Sequence, residues 1–300
     1  MKKMADTLRK QYLLILMVLP VFVILFVFHY IPIYGVQIAF KDYKVSLGIM
    51  GSPFVGLKHF RAFFTTPFAF RTLKNTFLLG IYSLLWSFPA PIILALLINE
   101  VRSPRYKRLV QTISYLPYFL STVIIVGLIK IFTGLDGPIN RAIVSFGAEP
   151  VQFMAKAEWF RTLYIVSGIW QGIGWGTIIY LAALTGVDVE LYDAASIDGA
   201  NRFQKIWHIS LPAIFPTISI LFILSTGGIL NVGFEKVLLM YNPTIYSTAD
   251  VISTYVYREG IQNAKISYST AVGLFTSAVS FVFLAITNAV SDRLSGNSLW

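Results

Sequence analysis

The chain has 300 residues, of which 56% are hydrophobic and only 13% are charged. A soluble domain carries about 25% charged residues, so this deficit, spread over several long apolar runs, excludes an ordinary soluble domain. The net charge of +10 is better explained by basic residues at the ends of membrane helices than by nucleic-acid binding, because no nucleic-acid-binding motif accompanies it. The absence of cysteine excludes disulfides and cysteine-based metal sites.

Six apolar stretches are each close to the roughly 20 residues that a helix needs to cross a bilayer. The sequence therefore predicts an all-α membrane protein with six transmembrane helices in a single domain. The first stretch follows a basic start and is too long for the apolar region of a signal peptide, so we interpret it as an uncleaved membrane helix. The predicted spans are residues 12–34, 76–98, 111–132, 163–184, 214–234 and 268–290.

The basic residues bear on the orientation of the chain in the membrane. Both the start of the chain and the link between the second and third spans, with Arg102, Arg105, Lys107 and Arg108, are rich in basic side chains. An even number of spans puts both termini on one side, which the positive-inside rule identifies as the cytoplasm. The other loops hold a similar number of basic residues over longer segments, so the charge pattern alone leaves the topology open.

The most polar link on that side lies between the fourth and fifth spans, at residues 186–212. Asp188 can cap a short helix, and Asp198-Gly199 ends it, because glycine tolerates the positive φ of a helix end. A second helix is predicted from Ala200 to Ser210, and its apolar face carries Phe203, Ile206 and Trp207. On periodicity alone, such a pair of helices could dock into a groove of another protein or rest on lipid.

This segment resembles the EAA loop of binding-protein-dependent ABC importer permeases. The family pattern is Glu-Ala-Ala, three residues, Gly, nine residues, Ile, one residue, Leu-Pro, and the chain departs from it only by having Asp in place of Glu. Asp198 before the glycine also fits the variant of sugar importers, so the chain is similar to the maltose-type permeases that serve complex oligosaccharides. The matching residues are Asp193, Ala194, Ala195, Gly199, Ile209, Leu211 and Pro212.

The resemblance implies the permease subunit of an ATP-driven importer in the bacterial plasma membrane. Such a subunit moves a carbohydrate, here an oligosaccharide, into the cytoplasm by alternating access. Its implied partners are a second homologous permease, which makes a heterodimer, a cytoplasmic ATPase dimer and an extracytoplasmic substrate-binding protein. Asp193 would pair with a basic residue in a cleft of the ATPase, where Phe203, Ile206 and Trp207 would pack. ATP and Mg²⁺ would lie on that partner, because this chain has no phosphate-binding loop and no cofactor motif.

A sugar pathway needs hydrogen-bonding groups and aromatic faces within the membrane. Gly168, Gly172 and Gly176 recur every four residues on one face of the fourth span, which we interpret as close helix packing. Gly227 and Gly228 weaken the fifth span and could open it beside a ligand. The candidate pathway residues, in regions that line the path in the maltose-type family, are Tyr115, Tyr118, Ser121, Trp170, Gln171, Trp175, Ser225, Asn231 and Glu235.

Other function classes fit the sequence less well. Glu235 is the one acidic residue beside a span, and the adjacent Lys236 suggests an interfacial ion pair. The alternative function is a stand-alone secondary transporter or channel, but the chain lacks the series of intramembrane acids and histidines that proton-coupled transporters use. The histidines, His29, His59 and His208, have no metal-site spacing. The sequence therefore predicts no metal site, no catalytic residue and no enzyme.

Overall fold

The computed structural model describes residues 11–296 and 298 of the chain. The basic start that entered the topology prediction lies outside these residues. Within them the chain is helical apart from turns and loops, and Lys41 and Phe54 form an antiparallel bridge. The chain divides into two compact units, one with the residues up to Thr66 and Val256–Phe275, the other with Pro67–Tyr255 and the residues from Thr276 onward.

The first unit begins with an apolar helix whose side chains are all exposed. Exposed apolar side chains are what a helix facing lipid requires. A π-helical turn at Phe26–Tyr30 continues this helix, and 3₁₀ segments follow at Tyr34–Phe40 and Val45–Leu47. The α-helices up to Thr66 are α1 (Tyr12–Leu25), α2 (Ile31–Ile33), α3 (Gly48–Gly51) and α4 (Lys58–Thr65). Phe63 of α4 is fully buried and packs edge-on against Tyr268.

The second unit contains most of the helices. Its α-helices are α5 (Pro67–Ser87), α6 (Pro89–Asn99), α7 (Pro104–Tyr115), α8 (Thr122–Thr133), α9 (Pro138–Ser145), α10 (Ala157–Thr185), α11 (Val189–Ile197), α12 (Arg202–Lys205), α13 (Leu211–Gly227), α14 (Phe234–Met240) and α15 (Tyr246–Ala249). Short 3₁₀ segments lie at Leu116–Phe119 and Pro243–Ile245, and a π-helical turn at Ile206–Ser210 joins α12 to α13. The chain continues with α16 (Ile252–Tyr257), a π-helical turn at Arg258–Gln262 and α17 (Ile266–Ser295).

Among the residues that the structure describes, six helical segments are long and apolar enough to cross a membrane, which confirms the predicted number. The second segment begins at Pro67, before its predicted start at residue 76, because the first turns of α5 form a helix although their side chains are partly polar. The fifth ends at Gly227 and not at residue 234, because the helix stops at the glycine pair. The segments are Tyr12–Phe40, Pro67–Asn99, Thr122–Ser145, Ala157–Thr185, Arg202–Gly227 and Ile266–Arg293.

Two apolar clusters hold the second unit together, and α10 contributes to both of them. The first packs the start of α10 against α5, α8 and the segment after α13; its buried residues are Leu79, Val126, Phe160, Val232, Val237, Met240, Ile245, Ala249 and Val251. The second packs the end of α10 against α6 and α13, through Ile92, Ala95, Ile98, Tyr180, Leu181, Leu184 and Ile214. Between these two clusters, one side of α10 lines a cavity.

A buried polar network fastens the segment around Asp250 to the start of α5. The side chain of Asp250 is fully buried and accepts a hydrogen bond from Arg71 at 2.9 Å. Asn75 donates to the backbone carbonyls of Ser247 and Asp250 at 3.0 and 3.2 Å, and its own carbonyl accepts from Arg161 at 3.0 Å. A buried carboxylate is stable only when it is paired, so this network is a structural requirement of the second unit.

We expect Asp250→Asn to destabilise the protein by about 1.5–3 kcal/mol, because it replaces a charged hydrogen bond inside the protein by a neutral one. The melting temperature in detergent measures this loss. Asp42→Asn is the matched control, since the carboxylate of Asp42 is about one-third exposed and pairs with the exposed Lys58 and with His59, and surface ion pairs are worth about 0–1 kcal/mol each. Equal melting temperatures for the two variants would contradict the assignment.

Candidate functional site: a helical loop and a membrane cavity

The segment between α10 and α13 folds as two short helices around a glycine. Asp188 caps α11, and its carboxylate accepts the backbone N–H of Glu190 at 2.9 Å. Gly199 ends α11 with a φ of +77°. Asn201 and Gln204 then start α12 with reciprocal side-chain to backbone hydrogen bonds of 3.0 and 2.7 Å. The helix–glycine–helix arrangement agrees with the prediction, although α12 is shorter than predicted and passes into the π-helical turn.

The two halves of this loop are fastened to each other at its base. The Tyr192 hydroxyl of α11 lies 2.9 Å from the hydroxyl of Ser210, which is fully buried at the start of α13. Lys205 also donates to the side chain of Ser196, which links α12 to α11. These two contacts make the loop a compact body joined directly to α13.

Large apolar side chains of the loop are exposed. Phe203 is 84% and Trp207 67% exposed, whereas Ile206 and Ile209 are half-buried. The carboxylates of Asp193 and Asp198 are exposed on the same loop, as are Ala194 and Pro212, while Ala195 and Leu211 are partly buried. Exposed aromatic rings next to carboxylates are typical of a surface that binds another protein.

A cavity of about 450 Å³ lies between α5, α6, α10 and α13. Glycines form much of the wall on α10, and hydroxyl and amide groups supply the polar part. None of the described lining residues is charged. The lining comprises Gly80, Ser83, Leu84, Ser87, Phe88, Pro91, Tyr164, Gly168, Ile169, Gly172, Ile173, Gly176, Ile179, Tyr180, Leu221, Ser225, Gly228, Ile229, Asn231 and Val232.

The glycines of α10 have different surroundings. A Cβ on Gly172 would meet no atom within 4 Å, so the close packing interpretation is wrong at this position. Gly176 does pack closely: a Cβ added there would lie 2.9 Å from the side chain of Pro91. Gly174, which the spacing did not single out, packs directly on the backbone of Ser114. Gly168 and Gly172 therefore leave space for the cavity.

Two of the predicted pathway residues, Ser225 and Asn231, line this cavity. Ser121 caps α8 by accepting the backbone N–H of Ile124 at 3.4 Å, and Gln171 donates to the carbonyl of Leu120 at 3.2 Å. Tyr115 is half-buried at the end of α7, and Glu235 is exposed in the first turn of α14. A role of these last four residues in transport stays a prediction.

The predicted aromatic residues form a separate group outside the cavity. The rings of Tyr118 and Trp175 are stacked, with centroids 4.5 Å apart and planes within 5°. Phe119 contacts Trp175 edge-on, and Trp170 is exposed on the same helix as Trp175. These rings offer flat, half-exposed faces of the kind that stack on sugar rings, and their contact with substrate also stays a prediction.

The interpretation of Lys236 as the partner of Glu235 is wrong. No ion pair joins Lys236 to Glu235; the lysine side chain points inward, and Nζ donates to the backbone carbonyl of Tyr164 at 2.9 Å. The same nitrogen lies 4.8 Å from the centre of the Tyr164 ring. Side chains of consecutive residues on a helix point about 100° apart. This geometry is enough to exclude a pair between Glu235 and Lys236.

The comparison with protein families identifies one family over most of the chain. Residues 63–296 match the family described as binding-protein-dependent transport system inner membrane component. The matched region includes the loop, the cavity and five of the six candidate spans.

Individual proteins match over nearly the full length. The polygalacturonan/rhamnogalacturonan transport system permease protein YteP of Bacillus subtilis (strain 168) is 46% identical over 300 residues, which cover 100% of this chain and 94% of YteP. Protein LplB of the same organism is 46% identical over 294 residues, covering 98% of this chain and 92% of LplB.

Two solved structures have the same fold. One is a bacterial ABC transporter involved in the import of the acidic polysaccharide alginate, with a TM-score of 0.90 and 42% identity over 98% of this chain and 99% of that chain. The other is a bacterial alginate ABC transporter in complex with an alginate pentasaccharide-bound periplasmic protein, with a TM-score of 0.89 and 42% identity over the same shares of both chains.

These matches exclude the stand-alone transporter or channel, because the family forms the membrane component of a larger importer. That component is a multi-pass membrane subunit, not an enzyme, and it carries no cofactor. The chain therefore belongs to the binding-protein-dependent transport system inner membrane components, and it is a permease subunit of an ABC importer.

Proposed function

We propose that this permease carries an oligosaccharide across the membrane, through the cavity between α5, α6, α10 and α13. The names of YteP and of the alginate importers support a carbohydrate substrate of more than one sugar unit. The cavity supports it as well, because its hydroxyl and amide groups can hydrogen-bond sugar hydroxyls and its glycines leave room for rings. Tyr118, Trp170 and Trp175 would supply stacking faces on the path beside a second permease.

The loop from residue 186 to residue 212 is the proposed contact with the ATPase. The observation that carries this assignment is the exposure of Phe203 and Trp207 on a compact body that continues directly into α13. Asp193 would pair with a basic residue of the ATPase, as the resemblance to the EAA loop implies. The loop and both termini would then lie in the cytoplasm, and ATP and Mg²⁺ would be bound by the partner.

The proposed assembly has two permeases, an ATPase dimer and an extracytoplasmic binding protein. We infer a heterodimer of permeases from the resemblance to sugar importers. A binding protein would deliver the oligosaccharide to the outer face. Closure of the ATPase dimer around ATP would move both loops and, through α13, the wall of the cavity that contains Ser225.

Co-purification tests the proposed contact. The chain is expressed with the neighbouring genes of its operon, and the ATPase subunit retained on the tagged permease is quantified. We expect Phe203→Ala to lower the retained ATPase about 10-fold or more, because exposed aromatic residues at interface centres dominate binding. Phe146→Ala is the control, since Phe146 is 89% exposed but lies in the loop after α9. A wild-type chain that never retains an ATPase would refute the proposed function.

A further inference from the structure

Lys236 is a buried cation near the cavity. The residue is only 8% exposed, and among the described residues no carboxylate lies within ion-pair distance of its Nζ. An ammonium group has three donors, and the carbonyl of Tyr164 takes one of them. Desolvating a cation without a counter-ion is costly, and the contact with the Tyr164 ring offsets only part of that cost.

The position of this ammonium group connects it to the cavity. Nζ would lie 3.5 Å from a Cβ on Gly168, and Gly168 lines the cavity. Tyr164, whose carbonyl accepts from the lysine, and Val232, four residues before the lysine in the sequence, line the same space. Lys236 itself does not line the cavity, and Gly168, which has no side chain, is the lining residue next to its nitrogen.

The rest of the cavity is polar without being charged. Its hydrogen-bonding side chains are Ser83, Ser87, Tyr164, Tyr180, Ser225 and Asn231. Neutral groups of this kind suit the hydroxyls of any sugar. A single ammonium near them can bind one additional kind of group, an anionic oxygen, by donating a charge-assisted hydrogen bond to it.

We propose that Lys236 is a specificity-determining residue that binds a carboxylate of an acidic oligosaccharide in the cavity. This inference rests on the proposed function, since it assigns the substrate class of the same pathway. A sugar carboxylate would supply the counter-ion that the protein itself does not provide. A neutral oligosaccharide would leave the ammonium unpaired beside it, and buried groups left unpaired are what make a site reject an analogue.

Occupancy of the cavity can be measured directly, without the binding protein. The natural chain has no cysteine, so Ser225→Cys introduces a single thiol into the cavity wall of this subunit. The complete importer in nanodiscs is treated with N-ethylmaleimide, a neutral reagent, and modification of this chain is followed by mass spectrometry. Trigalacturonic acid and its methyl ester are the two probes, which have the same rings and differ in charge.

We expect the acid to protect the thiol at about 10-fold lower concentration than the ester, and Lys236→Gln to remove this difference. Lys236→Arg should keep the preference, because it retains the charge. Gly168→Val should weaken the preference while the lysine is present, because a branched side chain would cover Nζ. Lys74→Gln, at an exposed lysine of α5, is the control that should change nothing.

The pH dependence gives a second readout. Burial lowers the pKa of Lys236, which follows the fifth span, to about 8. The acid preference should therefore be full at neutral pH and decline as the pH rises through about 8, while protection by the ester stays constant. Tyr164 on α10 is the titratable side chain in contact with the ammonium, and the neighbouring Glu235 is exposed and not paired with it. Above a pH of about 8 the lysine is neutral, and burying the neutral side chain costs less free energy than burying the cation. The folded protein is therefore expected to stay stable as the lysine loses its proton.

A purely structural role for Lys236 makes a different prediction. Lys236→Gln would then lower the melting temperature and reduce protection by acid and ester equally. That result, or equal protection by the two probes in the unsubstituted Lys236 background, would overturn the inference. Neither result would affect the proposed function, which fails separately if no ATPase is retained on the permease.

Discussion

Gly172→Leu is expected to reduce oligosaccharide uptake to a small fraction of the wild-type rate while the chain stays folded and inserted. Gly172 lines the cavity, and a Cβ there would meet no atom within 4 Å, so the new side chain can extend into the cavity without displacing a helix. Leucine also favours the helix by up to about 1 kcal/mol over glycine. Uptake of labelled trigalacturonate into proteoliposomes that contain the whole importer measures the effect.

Gly174 provides the matched control two residues further along α10. A Cβ on Gly174 would overlap the backbone carbonyl of Ser114, so even Gly174→Ala must displace α7. Overpacking of this kind costs about 1–3 kcal/mol, and we expect a lower melting temperature and less protein in the membrane. Normal uptake by a folded Gly172→Leu variant would contradict the assignment of the cavity as the sugar path.

The glycines of α10 show which parts of helix packing can be predicted from spacing. A spacing of four residues puts small side chains on one face of a helix, and that much was predicted for Gly168, Gly172 and Gly176. Whether such a face meets another helix or a cavity depends on where the neighbouring helices pass. Those positions are set by contacts such as the one between Gly174 and Ser114, which leave no periodic signal in the sequence.

The number of spans was predicted more successfully than the helix ends or the polar contacts. Six apolar runs gave six candidate spans, but the predicted third span began at residue 111, before the break at Leu116–Phe119, and the predicted fifth span ran through the Gly227-Gly228 pair that ends α13. The pairing of Arg71 with Asp250 joins residues that are 179 positions apart, and nothing in the local sequence relates them. The predicted pair of Glu235 with Lys236 does not form, because adjacent side chains on a helix point about 100° apart.

Gly199→Val is expected to uncouple ATP hydrolysis from transport, so that uptake falls strongly while the chain remains inserted and the complex still hydrolyses ATP. Gly199 has a φ of +77°, a conformation that costs L-residues about 1–2 kcal/mol and costs β-branched residues more. A Cβ there would meet no atom within 4 Å, so the effect comes from the backbone and not from a clash. A changed turn would shift α12 relative to α11 and misalign the surface proposed to contact the ATPase.

Two control variants separate this geometry from general backbone strain. Gly199→Asn should keep most of the uptake, because asparagine adopts the left-handed conformation more readily than other residues. Gly147→Val imposes similar strain in the loop after α9, where φ is +82° and a Cβ would also meet nothing within 4 Å. Uptake and ATPase activity are measured together in proteoliposomes. If Gly199→Val transports normally, or if Gly147→Val uncouples to the same extent, then the turn at Gly199 has no specific role in coupling.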